Sequence, residues 1–306
     1  MRSVPANGRS ATQAVLRARV HPPRRAQRWP HVNTFSLQTV VELRTAAEIE
    51  EMRLAGRFVA DVVTALAEAA DVGVNLLELD ALAQQMICER GAESCYIDYH
   101  PSFGGSPFGK VLCTSVNDAV LHGLPHDYRL QDGDLLSLDF AASVDGWVAD
   151  SAYSLVVGKP RKEDLALIGT TQRALEAGIA AAQPGNKIGD ISYAIGTVAR
   201  EAGLPISTLF GGHGVGRTMH GDPHIPNDGR PGRGYTLKPG LVIAIEPWFL
   251  HTTDEIVTDE DGWTLRSLDG SRGAHMEHTV AITDDGPLVL TAREREPLLR
   301  GGRTAA

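Results

Sequence analysis

Cysteine is scarce in this sequence of 306 residues, and its scarcity excludes two classes of small protein. The three cysteines, Cys88, Cys95 and Cys113, form no Cys-x-x-Cys pair, and an odd number cannot make a complete set of intrachain disulfides. We therefore expect neither a disulfide-stabilised secreted scaffold nor a zinc knuckle. The pattern is typical of a reducing compartment, and we expect the protein in the cytoplasm.

Long apolar runs are also missing. No segment approaches the roughly 18 apolar residues of a membrane-spanning helix, and the N-terminus lacks the apolar stretch of a secretory signal. Aromatic residues make up only 6% of the chain, but 42% hydrophobic and 22% charged residues are ordinary proportions for a globular protein. The composition therefore excludes a largely disordered chain and indicates a soluble protein with no membrane partner.

Acidic residues are absent from the first 37 positions, which carry seven arginines. The remainder holds 22 basic and 38 acidic residues, a net charge of −16 that does not suit a nucleic-acid-binding domain. We expect residues 1–39 to form a flexible Arg-rich extension, residues 40–295 one folded domain, and residues 296–306 a flexible tail. A transit peptide or an upstream start codon would also explain the arginine-rich leader.

Hydrophobic periodicity predicts helices in two pairs, each pair followed by strands. Capping boxes at Thr45–Glu48 and Asn75–Glu78 mark the first two helix starts. The predicted helices cover 46–70, 75–90, 162–182 and 189–202, and the predicted strands cover 110–116, 134–143, 147–157, 241–250, 263–268 and 276–283. Helix pairs and separate strands indicate an α+β fold, and the repeated order predicts a pseudo-duplicated domain.

Two aspartates flank a strong hairpin signal at Asp145-Gly146. A two-residue turn there pairs Ala141 with Asp150, which places Asp139 and Asp150 on one face of the hairpin. Such diagonal neighbours lie about 7–8 Å apart at Cα. Two carboxylates at this separation repel each other unless a cation or a proton lies between them, although two solvated acids on an exposed face are the alternative.

Three further residues would complete a metal site with these aspartates. His213 lies in the glycine-rich segment GGHGVG, Glu246 ends the apolar run that begins at Leu241, and Glu277 starts another strand-like segment. A buried carboxylate costs several kcal/mol unless it is paired, protonated or bound to metal, so a structural ion pair is the alternative for either glutamate. Four carboxylates and one imidazole suit two divalent ions that share bridging carboxylates.

The whole set resembles the site of the type I, bacterial-type methionine aminopeptidases of the M24 metallopeptidase family. The likeness runs from about Thr45 to Thr291 and includes GGHGVG, IEPW and EHTVAITDDG. Only 33 residues separate His213 from Glu246, which favours type I over type II. The resemblance implies that residues 40–295 form an α+β pita-bread catalytic domain with internal pseudo-two-fold symmetry.

The resemblance also implies two divalent metal ions and a role for each ligand. The candidate metals are cobalt, manganese, iron and zinc, among which oxygen and nitrogen ligands discriminate poorly. Asp139 would chelate one ion, and His213 with Glu246 would hold the other. Asp150 and Glu277 would bridge both ions.

The implied reaction is removal of the initiator methionine from nascent polypeptides with a small second residue. Glu246 would act as the general base, His220 would stabilise the tetrahedral oxyanion, and His122 would contact the scissile amide nitrogen. The residues that match the family's methionine pocket are Tyr99, Phe108, Cys113, His122, Met219 and Trp263.

Two other functions fit parts of the same pattern. An Xaa-Pro peptidase, of the prolidase or aminopeptidase P type, would share the five ligands but usually carries a substantial N-terminal domain. A non-catalytic, ribosome-associated pita-bread protein would use the arginine-rich leader to bind ribosomal RNA. We expect the enzyme, working as a monomer, with possible ribosome association through the extension as an addition to catalysis.

Overall fold

The structure is a computed structural model that describes residues 41–101 and 106–293. The expected extension over 1–39 and the expected tail over 296–306 lie outside the described residues. No helix within the described ranges is long and apolar enough to cross a membrane. The helices are α1 (Ala46–Ala69), α2 (Leu76–Arg90), α3 (Lys162–Ala181) and α4 (Ile188–Glu201).

The first two helices begin where the capping boxes predict. The Glu48 amide donates to Thr45 Oγ1 at 3.2 Å, and the Glu48 carboxylate accepts from the Thr45 amide at 2.8 Å. Asn75 forms the same reciprocal arrangement with Glu78 ahead of α2. Each cap satisfies amide groups that the first helical turn leaves without partners, so the predicted starts are confirmed.

The strands are short apart from one long hairpin. They are β1 (Glu93–Ser94), β2 (Cys113–Val116), β3 (Ala119–Leu121), β4 (Leu135–Val144), β5 (Trp147–Val156), β6 (Gly211–Gly214), β7 (Gly221–Pro226), β8 (Val242–Ile245), β9 (Trp248–Leu250), β10 (Ile256–Thr258), β11 (Leu265–Ser267), β12 (Gly273–His275), β13 (His278–Thr283) and β14 (Gly286–Val289). The single strand predicted over 241–250 is wrong, because the chain leaves the sheet at Glu246-Pro247 between β8 and β9.

The hairpin of β4 and β5 has the predicted register. Ala141 pairs with Asp150 and Val144 with Trp147. Positive φ angles of 53° at Asp145 and 75° at Gly146 form the tight turn that matches the strand twist. On its other edge β4 pairs with β1 and β2, so β4 is the central strand of one sheet.

A second sheet forms in the C-terminal half, with the strand order β14-β13-β8-β6-β7. The helix pair α1 and α2 precedes the first sheet in sequence, and α3 and α4 precede the second, which is the predicted repeat of element order. One hydrophobic core spans both halves and includes Leu66, Phe140, Leu175, Ile195 and Ile243. The α+β class is therefore confirmed, and the two halves meet at the edges of their sheets.

Candidate active site

The two aspartates of the hairpin lie side by side beneath a cavity. Asp139 on β4 and Asp150 on β5 both line it, and Asp150 is only 4% exposed. The Tyr96 hydroxyl donates to Asp139 Oδ1 at 2.7 Å and lies 3.4 Å from Asp150 Oδ1. The alternative of two solvated acids on an exposed face is therefore wrong.

The two glutamates face each other at the edge of the second sheet. The last residue pair between β8 and β13 is Ile245 with His278. Glu246 and Glu277 come directly after this pair, on the two neighbouring segments that extend beyond these strands. The Glu277 amide donates to the Ala152 carbonyl at 3.0 Å, which joins this edge to β5. The ends of the second sheet therefore meet the middle of the hairpin.

A threonine completes the connection between the halves. Thr279 Oγ1 accepts from the Asp150 amide at 2.9 Å and donates to the Asp150 carbonyl at 2.8 Å. Ser151 Oγ donates to the Glu277 carbonyl at 2.8 Å. These buried hydrogen bonds fix Asp150 and Glu277 beside each other although 127 positions separate them.

His213 enters the cluster at an irregularity of β6. The register of β6 against β7 shifts between Gly212 and Gly214, which turns the intervening imidazole towards the cavity. His213 Nδ1 donates to the Gly214 carbonyl at 3.1 Å, since a carbonyl can only accept, and this leaves the lone pair on Nε2. Nε2 lies 3.4 Å from Glu246 Oε1.

Three overlapping groups in this cluster have potential ligand atoms within 4.8 Å of one another. The groups are Asp139, Asp150 and Glu277; His213, Glu246 and Glu277; and Asp150, His213 and His220. The structure thus brings all five predicted metal ligands together. Glu277 joins the group of Asp139 and Asp150 to the group of His213 and Glu246, so it stands where two neighbouring ions would share a ligand; Asp150 and His213 also meet, in the group that includes His220.

Burial and mutual repulsion make it unfavourable for the four carboxyl groups of the cluster to be ionised together without a cation. Burial raises the pKa of Asp139 to about 6, and burial together with the charge of Asp139 raises the pKa of Glu246 to about 8. Burial and neighbouring carboxylates raise the pKa of Asp150 and of Glu277 well above their usual values. Glu277 Oε1 is buried with no hydrogen-bond partner among the described residues. These features fit a site for divalent cations, which would neutralise the carboxylates and satisfy the orphan oxygen.

An apolar cavity of about 340 Å³ opens directly onto the carboxylates. All six residues predicted for the methionine pocket line it: Tyr99, Phe108, Cys113, His122, Met219 and Trp263. The rings of Phe108 and Trp263 meet edge to face at 5.1 Å, and Tyr96 packs edge to face on Phe108 at 5.7 Å. The wall is therefore aromatic and polarisable, which suits an unbranched thioether side chain.

The two histidines predicted for catalysis both line this cavity. His220 Nδ1 is 2.8 Å from the Tyr99 hydroxyl, and the His220 ring lies against that of His213 at 4.4 Å between centroids. His122 has a positive φ of 55° and packs on Phe210. Burial lowers the pKa of His122 to about 4, so its imidazole is neutral at pH 7.

Sequence reasoning missed two residues of the site, Tyr96 and His275. His275 Nε2 lines the cavity 3.8 Å from Glu246 Oε2 and has no hydrogen-bond partner among the described residues. His275, Glu277 and Thr279 alternate along one extended segment, so the period of two could have identified His275 from Glu277. Tyr96 lies in a turn after β1, where no periodicity points to it.

The sequence and fold match known proteins over most of the described chain. A family model described as metallopeptidase family M24 matches residues 50–284. The chain is 44% identical to methionine aminopeptidase 1 of Mycobacterium tuberculosis over 259 residues, which are 82% of this chain and 95% of that protein. It is 41% identical to the methionine aminopeptidase of Aquifex aeolicus over 254 residues, covering 82% and 98% of the two chains.

Among solved structures, a methionine aminopeptidase superposes on this chain more closely than a prolidase does. The methionine aminopeptidase of Thermotoga maritima superposes with a TM-score of 0.79 at 34% identity, covering 83% of this chain and 100% of that one. The prolidase of Pyrococcus furiosus superposes with a TM-score of 0.66 at 24% identity, covering 83% of this chain and 66% of that one. The likeness to the prolidase is one of fold alone.

Proposed function

Because the chain belongs to metallopeptidase family M24 and matches curated methionine aminopeptidases along nearly their whole length, we infer that it is a type I methionine aminopeptidase. It removes the initiator methionine from polypeptides by metal-dependent hydrolysis of the first peptide bond. Its fold is the pita-bread fold that methionine aminopeptidases share with prolidases. The observation that carries the activity is the apolar, aromatic cavity that opens directly onto the buried carboxylate cluster.

The Xaa-Pro alternative is not favoured. The matched prolidase extends well beyond this fold, since the chain covers only 66% of it, whereas the matched methionine aminopeptidase is covered completely. The cavity also favours methionine, because its wall of Tyr99, Phe108 and Trp263 would enclose a long flexible side chain in apolar contacts. A non-catalytic role gains no support, since every residue type that the chemistry requires lines the cavity.

The chain binds divalent metal ions, and we propose that it binds two. Asp139 would hold one ion, His213 and Glu246 the other, and Asp150 and Glu277 both. The position of Glu277, which joins the group of Asp139 and Asp150 to the group of His213 and Glu246, supports this assignment. When bound, such ions lower the pKa of water and polarise the scissile carbonyl. Cobalt, manganese, iron and zinc all suit the donor set, and cellular supply would select among them.

Glu246 is the proposed general base of the reaction. Its carboxylate lies at the boundary between the ligand cluster and the open cavity, with His213 on one side and His275 on the other. Glu246 would accept a proton from the attacking water and deliver it to the leaving amine.

His220 and His122 would contact the peptide bond itself. If the Tyr99 hydroxyl donates to His220 Nδ1, the ring proton resides on Nε2, which can then donate to the developing oxyanion. His122 also lines the cavity, as a neutral imidazole, and would contact the scissile amide nitrogen. The methionine side chain would lie between these histidines and the aromatic wall.

The finer cellular setting is also a proposal. We propose that the enzyme acts as a monomer in the cytoplasm on nascent chains with a small second residue. The arginine-rich leader, seven arginines without an acid, would supplement catalysis by docking to ribosomal RNA. Free cysteines, one of them exposed at Cys88, support a reducing environment.

A comparison of two tripeptides tests the activity. Metal-free enzyme and enzyme supplied with Mn²⁺ or Co²⁺ are incubated with Met-Ala-Ser and with Ala-Pro-Ala, and the released amino acid is measured. We expect methionine release that depends on metal and no cleavage before proline. A Glu246→Gln variant, which keeps the shape of the side chain, should bind peptide without releasing methionine. Preferential cleavage of Ala-Pro-Ala would assign the chain to the Xaa-Pro branch, and a folded, metal-loaded enzyme that cleaves neither peptide would refute hydrolysis.

A further inference from the structure

Tyr96 occupies a position in the candidate metal centre that the proposed reaction does not explain. Its side chain is 6% exposed, and its hydroxyl donates to Asp139 Oδ1 at 2.7 Å. The same hydroxyl lies 3.4 Å from Asp150 Oδ1, but a phenol has one proton to donate and the shorter contact takes it. Tyr96 therefore binds the carboxylate proposed to hold one ion.

The backbone around Tyr96 holds the phenol firmly in place. β1 pairs with the edge of β4, Glu93 with Ser143 and Ser94 with Ala142. Ser94 Oγ then accepts from the Tyr96 amide at 3.2 Å, which forms a turn directly after the strand. The Tyr96 ring packs edge to face on Phe108. The Tyr96 hydroxyl is thus positioned by β1, a strand of the same sheet that carries Asp139 on β4.

Besides Tyr96, Asp139 shares hydrogen bonds with the Asp150 carboxyl and the Cys113 thiol, and Asp150 can donate only while it is protonated. Its neighbours across the strands are Cys113 on β2 and Ala152 on β5. A thiol is a weak donor and an alanine side chain offers none. Once Asp150 is ionised, Tyr96 is therefore the strongest hydrogen-bond donor to Asp139 among these groups.

We propose that Tyr96 is a positioning residue of the metal centre, which holds Asp139 so that its remaining lone pairs face Asp150 and Glu277. A carboxylate has about four lone-pair sites, and the phenol uses only one, so hydrogen bond and metal binding are compatible. Hydrogen bonds to ligand side chains typically contribute 10- to 100-fold to metal affinity. The inference rests on the proposed two-ion site.

The test is a calorimetric titration of the metal-free full-length protein with Mn²⁺. Tyr96→Phe removes the hydroxyl but keeps the ring on Phe108 and the wall of the cavity. We expect this variant to bind the ion at least about tenfold more weakly than the wild type. Tyr128→Phe is the matched control, because Tyr128 donates to Asp134 Oδ2 at 2.8 Å in a tyrosine–aspartate pair away from the five ligands, and its Mn²⁺ affinity should be unchanged.

Kinetics separate metal positioning from a role in binding methionine. Tyr96→Phe should release methionine from Met-Ala-Ser slowly at limiting Mn²⁺ and recover towards wild-type kcat and KM at saturating Mn²⁺. Wild-type Mn²⁺ affinity in Tyr96→Phe would overturn the inference and leave the proposed function intact, and tighter binding would overturn it by showing that the phenol competes with the ion. If the wild type itself bound no Mn²⁺, the proposed metal centre would be refuted, and the inference about Tyr96 with it.

Discussion

At the scale of single residues, we expect Tyr99 to determine which nitrogen of His220 carries the proton. The Tyr99 hydroxyl lies 2.8 Å from Nδ1, and donation to that nitrogen leaves the proton on Nε2, where an oxyanion can receive it. In Tyr99→Phe both tautomers become accessible. We expect kcat for Met-Ala-Ser to fall by up to about tenfold, less than the 10²–10³ of losing an oxyanion donor outright. Steady-state kinetics beside the Tyr128→Phe control measure the effect, and an unchanged kcat would show that Tyr99 only lines the pocket.

The buried carboxylates make the stability of the metal-free protein depend on pH. Their pKa values in the folded state are raised, that of Glu246 from 4.5 to about 8, so deprotonation favours the unfolded chain. The buried histidines oppose this at low pH, because burial lowers the pKa of His213 from 6.5 to about 3 and the unfolded chain takes up the protons. Above pH 6.5 the histidine effect ends and only the carboxylate effect remains.

We therefore expect the Tm of the chelator-treated protein to fall as pH rises from about 6.5 through 8, the window set by these two groups. Added Mn²⁺ should raise Tm, and by more at pH 8 than at pH 6.5, because the ions bind the ionised carboxylates. Thermal scans at several pH values, with and without metal, measure both effects. A metal-free Tm that rises steadily across this window would contradict the account.

Sequence reasoning reached most of the site residues but not all of them. Asp139 and Asp150 follow from a turn signal and a period of two, and the structure has that register. Glu246 and Glu277 were identified because a charge at the end of an apolar run is costly. Tyr96 was missed because a turn, rather than a repeating pattern, brings its hydroxyl to Asp139.

At the scale of elements, β6 shows why a glycine-rich strand carries a ligand. A Cβ on Gly212 would lie 2.1 Å from the Ala244 carbonyl oxygen, and one on Gly214 would lie 2.1 Å from the Asp222 carbonyl oxygen. The close approach of β6 to its neighbours is what places His213 in the cluster. Glycine is a weak strand former, so the sequence did not predict β6 as a strand at all.

Gly212→Ala should therefore damage both the sheet and the site. We expect a loss of about 1–3 kcal/mol in the free energy of unfolding, typical of overpacking, together with weaker Mn²⁺ binding through displacement of His213. Denaturant titration and calorimetry measure the two effects. Gly169→Ala in α3 is the control, because the added Cβ meets no atom closer than 3.5 Å; it should leave Mn²⁺ binding unchanged and raise the free energy of unfolding by about 0.5–1 kcal/mol, the ordinary helix preference for alanine. Equal behaviour of the two variants would refute the packing argument.

The elements that sequence predicted best are those with local signals. Capping boxes located the starts of α1 and α2, and Asp145-Gly146 located the hairpin turn. The break at Glu246-Pro247 was missed because the apolar pattern continues across it from β8 into β9. The residues on both sides of the break are apolar because both sides are buried. The break is visible only in the strand pairing, since β8 pairs with β13 whereas β9 pairs with β12.

At the scale of the whole molecule, each half supplies an incomplete site. The first half contributes Asp139 and Asp150, and the second contributes His213, Glu246 and Glu277. The contacts of Thr279 and Ser151 hold the halves in register where these residues meet. Only the assembled fold produces the cluster, which explains why no short motif in the chain is sufficient to identify it.

The leader provides a prediction that concerns the full-length chain. If residues 1–37 dock to ribosomal RNA, a variant that lacks them should hydrolyse Met-Ala-Ser at the wild-type rate but bind ribosomes more weakly. The difference in ribosome binding should shrink as salt is raised, because arginine–phosphate contacts release counterions. Ribosome pelleting at two salt concentrations measures this. Identical pelleting of the two proteins at low salt would discard the docking role.

We infer that carboxylates from both halves hold the metal with which the enzyme removes an N-terminal methionine. The most direct measurement follows methionine release from Met-Ala-Ser while Mn²⁺ is added to chelator-treated enzyme, beside a Glu277→Gln variant that loses the shared ligand. We predict no release before Mn²⁺ is added, a rise to a plateau in the wild type, and little release by the variant at any concentration. Full activity in the metal-free wild type, or wild-type activity in Glu277→Gln, would contradict the claim.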